Sequence, residues 1–212
     1  MLYDNINVQD VVDSEAAMEF MKEATKLATS TELEDIGLRL KQKSQDFSEL
    51  LSEERISDLS EADFQLLVGS IFSVRRKAKR ILKKIGIDAI RANLKALLYD
   101  DKPLELRFNE SSQAFQSISE AMRYNFISEI LHYSDPEKYW LWTSWIWDYK
   151  KNTGALSLVL HDGIDLEAAS PGELYLKIGQ TTTLVNAMGH SLGFSSSANG
   201  LFGTDIFLAC VY

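Results

Sequence analysis

A single cysteine, Cys210, stands in this chain, so an internal disulfide is impossible. Only three histidines accompany it, His132, His161 and His190, which leaves little from which to build a structural zinc site. Three prolines and the absence of repeats or low-complexity tracts leave no clear linker. No run of about 18 apolar residues exists, so no transmembrane helix is expected. The first residues, Met1-Leu2-Tyr3-Asp4-Asn5, have neither a basic segment nor an apolar one, so no secretory leader is expected. A reduced, cytoplasmic setting follows as the expectation. No Walker loop, dinucleotide fingerprint, HExxH or EF-hand spacing occurs, and neither a cofactor nor a metal is expected.

What remains is an ordinary globular composition. The 212 residues are 45% hydrophobic and 25% charged, enough for one large domain or two small ones. The net charge of -9 disfavours diffuse binding to nucleic acid or to anionic lipid. Its distribution matters more than its sum. Residues 75–84 hold Arg75, Arg76, Lys77, Lys79, Arg80, Lys83 and Lys84, seven cations and no acid. Setting those seven charges aside leaves -16 on the rest of the chain.

The N-terminal half reads as successive helices. Ala17, Phe20, Met21, Ala24 and Ala28 recur at helical spacing, and Thr31-Glu32-Leu33-Glu34 matches a capping box. Ser60-Glu61-Ala62-Asp63 starts a stripe through Phe64, Leu67, Ile71, Val74, Ala78, Ile81 and Ile85, ended by Gly86. Asp88 is placed to cap a short helix carrying Ile90, Leu94, Leu97 and Leu98, and Asp100 to Pro103 are expected to form a turn. Leu104 to Phe108 are expected to be extended. A helix is expected after Asn109 to Ser112, carrying Phe115, Ile118, Met122, Ile127, Ile130 and Leu131. Ala155 to Leu160 alternate weakly and suggest a strand. Ser170-Pro171-Gly172-Glu173 opens a helix running to about Gly189. Small polar residues, Ser195 to Gly200, precede an apolar tail, Ile206 to Tyr212. The fold class expected is mainly α, a multi-helix globular domain with minor β structure in the C-terminal third. The texture shift near Asn152-Thr153-Gly154 suggests a helical domain over 1–150 and a small mixed α/β appendage over 151–212, or one continuous domain.

On a helix, Ala78, Ile81, Leu82 and Ile85 share an arc of roughly 100° and the cations take the remainder. Like charges four apart, Arg75/Lys79, Arg76/Arg80 and Lys79/Lys83, repel by a few tenths of a kcal/mol each. A solvated face would be more stable with mixed signs. One reading is therefore an anion site built from Arg75, Arg76, Lys79, Arg80, Lys83 and Lys84. The other is a surface whose cations pair with the chain's own 31 acids.

All four tryptophans, Trp140, Trp142, Trp145 and Trp147, fall within eight residues. Clustering so large a side chain concentrates contact area, either in a core or in a binding surface. Asp135-Pro136 resembles a cap and first turn, so part of this box is expected to be helical. The stretch Ile127 to Tyr133, followed by Asp135-Pro136-Glu137-Lys138-Tyr139 and Trp142-Thr143-Ser144, resembles a helix-then-NPxxYPxWD pattern. That pattern recurs in helical domains of prokaryotic defence-type proteins and, more distantly, in helix-hairpin-helix DNA glycosylases. The resemblance spans under a tenth of the chain and implies helical architecture, not activity. Thr143 stands where the glycosylases carry a catalytic aspartate, and Met122-Arg123-Tyr124-Asn125 stand in place of their glycine hairpin.

Gly189-His190-Ser191-Leu192-Gly193 matches the nucleophile elbow of α/β-hydrolases. Such an elbow needs a preceding strand and a later histidine, and all three histidines precede Gly193, none following Ser191. His161-Asp162-Gly163 reads as a turn rather than as metal ligands. The expected function is non-catalytic, a binding or adaptor module meeting nucleic acid or an acidic protein surface. Two alternatives stand beside it. One is an enzyme using Ser191, or using Glu129 and Asp135 as an acid/base pair. The other is a subunit of a larger assembly, an oligomer held through the apolar tail.

Overall fold

The computed structural model describes residues 8–191 and 200–212. The described residues are mainly α-helical, in eleven helices. They are α1 (Val8–Val11), α2 (Ser14–Leu27), α3 (Ser30–Leu50), α4 (Glu61–Gly69), α5 (Ala78–Ile85) and α6 (Ile87–Tyr99). There follow α7 (Leu104–Ala114), α8 (Glu120–Ser134), α9 (Leu156–Val159), α10 (Pro171–Ser191) and α11 (Gly203–Val211). Met1 to Asn5 and the residues from Ser195 to Asn199 lie outside the described residues.

The chain divides into two compact units that interleave along the sequence. Unit 1 takes the described residues up to Gln42, Trp142–Glu167, and Leu176 onward. Unit 2 takes Lys43–Leu141 and Ala168–Tyr175. The expected boundary near residue 150 falls inside a segment of unit 1.

In unit 1, Asp13 caps α2 by accepting hydrogen bonds from the Glu15 and Ala16 amides, both at 3.0 Å. Helix α2 packs against α9 and α11. The apolar tail is largely used here: Ile206, Leu208 and Val211 on α11 are buried, while Tyr212 is exposed. Trp142, Ile146, Trp147, Leu156 and Val159 are buried as well.

Unit 2 is a helical pack in which α4 meets α5, α5 meets α6, α6 meets α7 and α7 meets α8. Its core holds Phe47, Phe64, Ile71, Ile81, Leu94, Phe108, Phe115 and Phe126, all fully buried. Phe126 meets Phe64 and Phe115 edge-on, at centroid distances of 6.4 and 5.0 Å. Arg107 is buried and donates to the carbonyls of Leu97 and Leu98, at 2.6 and 3.1 Å. It thereby satisfies acceptors that the end of α6 leaves open.

The expected minor β structure is absent among the described residues, where pairing is limited to two isolated bridges, Val12–Leu160 and Asp148–Thr153. Ala155 to Leu160 contain α9 instead. Ala155, Leu156 and Val159 are the buried positions there, a spacing of a helix rather than a strand. Leu104 to Phe108 open α7 for the same reason. Arg107, Phe108, Ser111 and Ser112 are its buried residues, again at helical spacing.

Five further expectations shift. Asp88 lies in the first turn of α6, whose N-cap is Gly86, with no side-chain cap bond. The helix expected after Asn109 to Ser112 is two helices, α7 and α8, with Phe115 and Ile118 in the turns between them. The capping box at the start of α3 is Thr29–Glu32, two residues before Thr31–Glu34. The Thr29 amide donates to Glu32 at 2.8 Å and the Glu32 amide to the Thr29 hydroxyl at 3.3 Å. The long stripe from Phe64 to Ile85 is two helices, α4 and α5, joined by turns. Gly69 ends α4, and Ser70 donates its hydroxyl to the Leu67 carbonyl at 2.7 Å, taking over an acceptor of the last turn. The tryptophan box is turn and irregular chain, not helix. Side chains supply the donors that a helix would have supplied. His132 Nδ1 donates to the Tyr139 carbonyl at 2.8 Å, Tyr175 to that of Trp140 at 2.9 Å, and Trp142 Nε1 to that of Trp147 at 3.0 Å.

Candidate anion-binding surface

The cationic stretch lies in unit 2, across the turns after α4 and along α5. Its local pattern explains its exposure. On α5 the buried residues are Ala78, Ile81 and Leu82, and the exposed ones are Lys79, Arg80, Lys83 and Lys84. At 100° per residue the four exposed cations fill an arc of about 140°, separated by a gap from the buried arc. Lys83 and Lys84 sit in the last turn, where the helix dipole favours positive charge. Gly86 follows at φ 81°, a conformation that costs a side-chain-bearing residue strain, and α6 begins at once.

Arg75 and Arg76 precede the helix and are also exposed, while Lys77 is half-buried. These residues form successive turns rather than helix. The Val74 amide donates to Ile71 at 3.1 Å and the Lys77 amide to Val74 at 2.7 Å. Among the described residues, no carboxylate lies within 4 Å of any of the seven cations. Acids close by in sequence are engaged elsewhere: Asp88 pairs with Arg91 at 2.8 Å, and Asp63 with the Ser60 cap. The seven cations thus reach solvent without an internal counter-ion among the described residues.

One aromatic accompanies them. Phe72 is 77% exposed, and the Arg75 guanidinium lies 4.4 Å from its ring centroid. Leu66 on α4 is also exposed. Sequence reasoning passed over Phe72 because it sits one position off the buried stripe of Ile71 and Val74. That offset was the available signal: an aromatic at a position that the periodicity turns outward.

The other candidate residues are placed as follows. Trp142 is buried at 2% exposure, a core residue of unit 1. Trp145 is half-buried, 6.3 Å from the Tyr212 ring. Trp140, in unit 2, is half-buried and meets Tyr175 edge-on at 6.2 Å. Tyr175 is buried, and desolvation pushes its phenol far above the ordinary range.

Glu129 is buried and paired with Lys43 at 2.8 Å. The Lys43 ammonium lies over the Tyr133 ring, 3.8 Å from its centroid. Burial raises the Glu129 carboxyl above its ordinary value, against the opposing pull of Lys43. Asp135 is exposed at the C-cap of α8. Glu129 is thus engaged by an ion pair with Lys43. Thr143 is buried and Met122 to Asn125 lie within α8, so the features that set this chain apart from the glycosylases are part of the packed fold. The backbone before and at Ser191 is α10, where a nucleophile elbow would need a strand. Leu192 and Gly193 lie outside the described residues. His161-Asp162-Gly163 is an exposed turn with Gly163 at φ 89°. No group of three or more metal-ligating side chains occurs among the described residues, and no helix there is long and apolar enough to cross a membrane.

No family model, no curated protein and no solved structure matches this chain.

Proposed function

We propose that this chain is a non-catalytic binding protein that engages an acidic macromolecule through Arg75, Arg76, Lys79, Arg80, Lys83 and Lys84. The observation that carries the reading is the lack of internal pairing. Among the described residues these cations have no carboxylate within 4 Å, although the chain carries 31 acids. Self-pairing was the competing explanation for so many like charges. Without it, repulsion between neighbours four apart is a cost that an external anion would relieve.

The test is the triple variant Arg76→Glu, Lys79→Glu, Lys83→Glu. All three side chains are exposed, so the helical circular dichroism and the unfolding midpoint should stay near those of the parent. Binding to a fluorescent polyanion, either an oligonucleotide or polyglutamate, should fall at least tenfold. A folded variant that binds both polyanions as the parent does would remove the proposal.

A further inference from the structure

Resting on that reading, we infer that the partner is single-stranded nucleic acid, with Phe72 as a stacking platform beside the cations. Three observations favour this occupant over an acidic protein or a duplex. The first is the density of cations. All six residues of the surface are positive, three of them lysines, a residue depleted at protein–protein interfaces, whereas nucleic-acid interfaces are much more positively charged. The second is the absence of any acid in residues 75–84. A protein partner is positioned by complementary charges of both signs, while a phosphate backbone asks for one sign only. The third is Phe72 itself. An exposed phenyl ring offers a π-face to an unpaired base, which a duplex keeps inside its stack.

The geometry fits this division of labour. On α5, Lys79/Lys83 and Arg80/Lys84 are pairs four apart, so two short rows of cations run along the helix, each spanning a rise of about 6 Å. Arg75 and Arg76 extend the charge back toward Phe72. The Arg75 guanidinium at 4.4 Å from the phenyl centroid holds the ring beside the charge. Phosphates would follow the cations while one base stacks on the free part of the ring. Such recognition is sequence-tolerant, because every base has a π-face.

The experiment is fluorescence anisotropy with labelled twelve-residue probes, a mixed-sequence DNA single strand, the matching RNA and the DNA duplex, across a salt series. The proteins are the parent, Phe72→Ala, Phe72→Tyr and the triple charge reversal. We expect the single strands to bind more tightly than the duplex. With about six contacts, the logarithm of affinity should fall with the logarithm of salt at a slope near -4. Phe72→Ala should weaken single-strand binding by about 5- to 150-fold and leave the duplex unchanged. Phe72→Tyr should restore it. Phe72 is 77% exposed, so both variants should fold, and an unchanged unfolding midpoint checks this.

If single strands and duplex bind alike and Phe72→Ala has no effect, the stacking inference is overturned while the basic surface stands. If the polyglutamate of the charge-reversal test binds the parent and none of the nucleic-acid probes does, the partner named here is wrong. If no polyanion binds the parent, the underlying reading fails with it.

Discussion

At the residue scale the most consequential pair outside the surface is Lys43 and Glu129. Only 10% of the Glu129 side chain and 19% of the Lys43 side chain reach solvent. Desolvation raises the carboxyl, so the folded state holds its proton more tightly than the unfolded chain does. Stability contributed by this group is therefore fully present below about pH 4.5 and is lost as pH rises through the raised value. Two substitutions should then behave unequally. Glu129→Gln keeps an oxygen that can accept from the Lys43 ammonium, which still lies over the Tyr133 ring, and should cost the lesser amount, about 1–2 kcal/mol at pH 8. Lys43→Met keeps an apolar stem over Tyr133 but leaves a buried carboxylate without its partner. It should cost about 3–5 kcal/mol at pH 8 and far less at pH 4. Urea unfolding of both variants at the two pH values measures this. Equal losses, or a Lys43→Met penalty that does not shrink at low pH, would show that the pair matters for packing rather than charge. Nothing in the sequence announced this pair, because its partners lie 86 residues apart. Glu129 stood out only through the aromatic box, and in the fold it pairs with Lys43.

At the scale of elements, legibility followed locality. The Ser60–Asp63 box was readable because its hydrogen bonds span three residues, and they close as expected, at 3.0 and 3.1 Å. The core stripe of α6, Ile90, Leu94, Leu97 and Leu98, was readable because four-residue spacing has one simple solution. The break between α4 and α5 was not, since the apolar period continues across it while Gly69 and Ser70 end the helix beneath. The tryptophan box failed for a longer-range reason. Its carbonyls are satisfied by His132, Tyr175 and Trp142, contacts that no local signal encodes. Two glycines put the same point to a test. At Gly172 a β-carbon would lie 2.2 Å from the backbone oxygen of Glu105, and backbone gives way poorly. At Gly69 nothing lies within 4 Å and φ is ordinary. Gly172→Ala should destabilise by roughly 2–3 kcal/mol, and Gly69→Ala should stabilise by about 0.5–1 kcal/mol. Thermal unfolding of both variants decides it. A neutral Gly172→Ala would mean that α7 and the start of α10 can separate at little cost.

At the scale of the whole molecule the governing feature is charge segregation. The chain carries -9 in total and +7 in residues 75–84, leaving -16 elsewhere. A molecule with a uniform field of that sign would be repelled by polyanions at any distance. Here the outcome depends on how far each field reaches. At about 0.01 M salt the screening length is near 30 Å, longer than the patch, so the acidic remainder is felt at the basic surface. At about 0.15 M it falls to roughly 8 Å, and a polyanion docked on α5 meets mainly the local cations. Retention on immobilised heparin should therefore persist at physiological salt despite a sequence pI near 4.9. The same protein should also bind an anion exchanger at low salt through its acidic remainder. The triple charge reversal would move the total from -9 to -15, lose the heparin column and hold the exchanger more tightly. Parallel elution on the two resins reads both effects from one preparation. A parent protein that passes heparin at every salt concentration would mean that the acidic field dominates the patch, and the basic-surface reading would be lost.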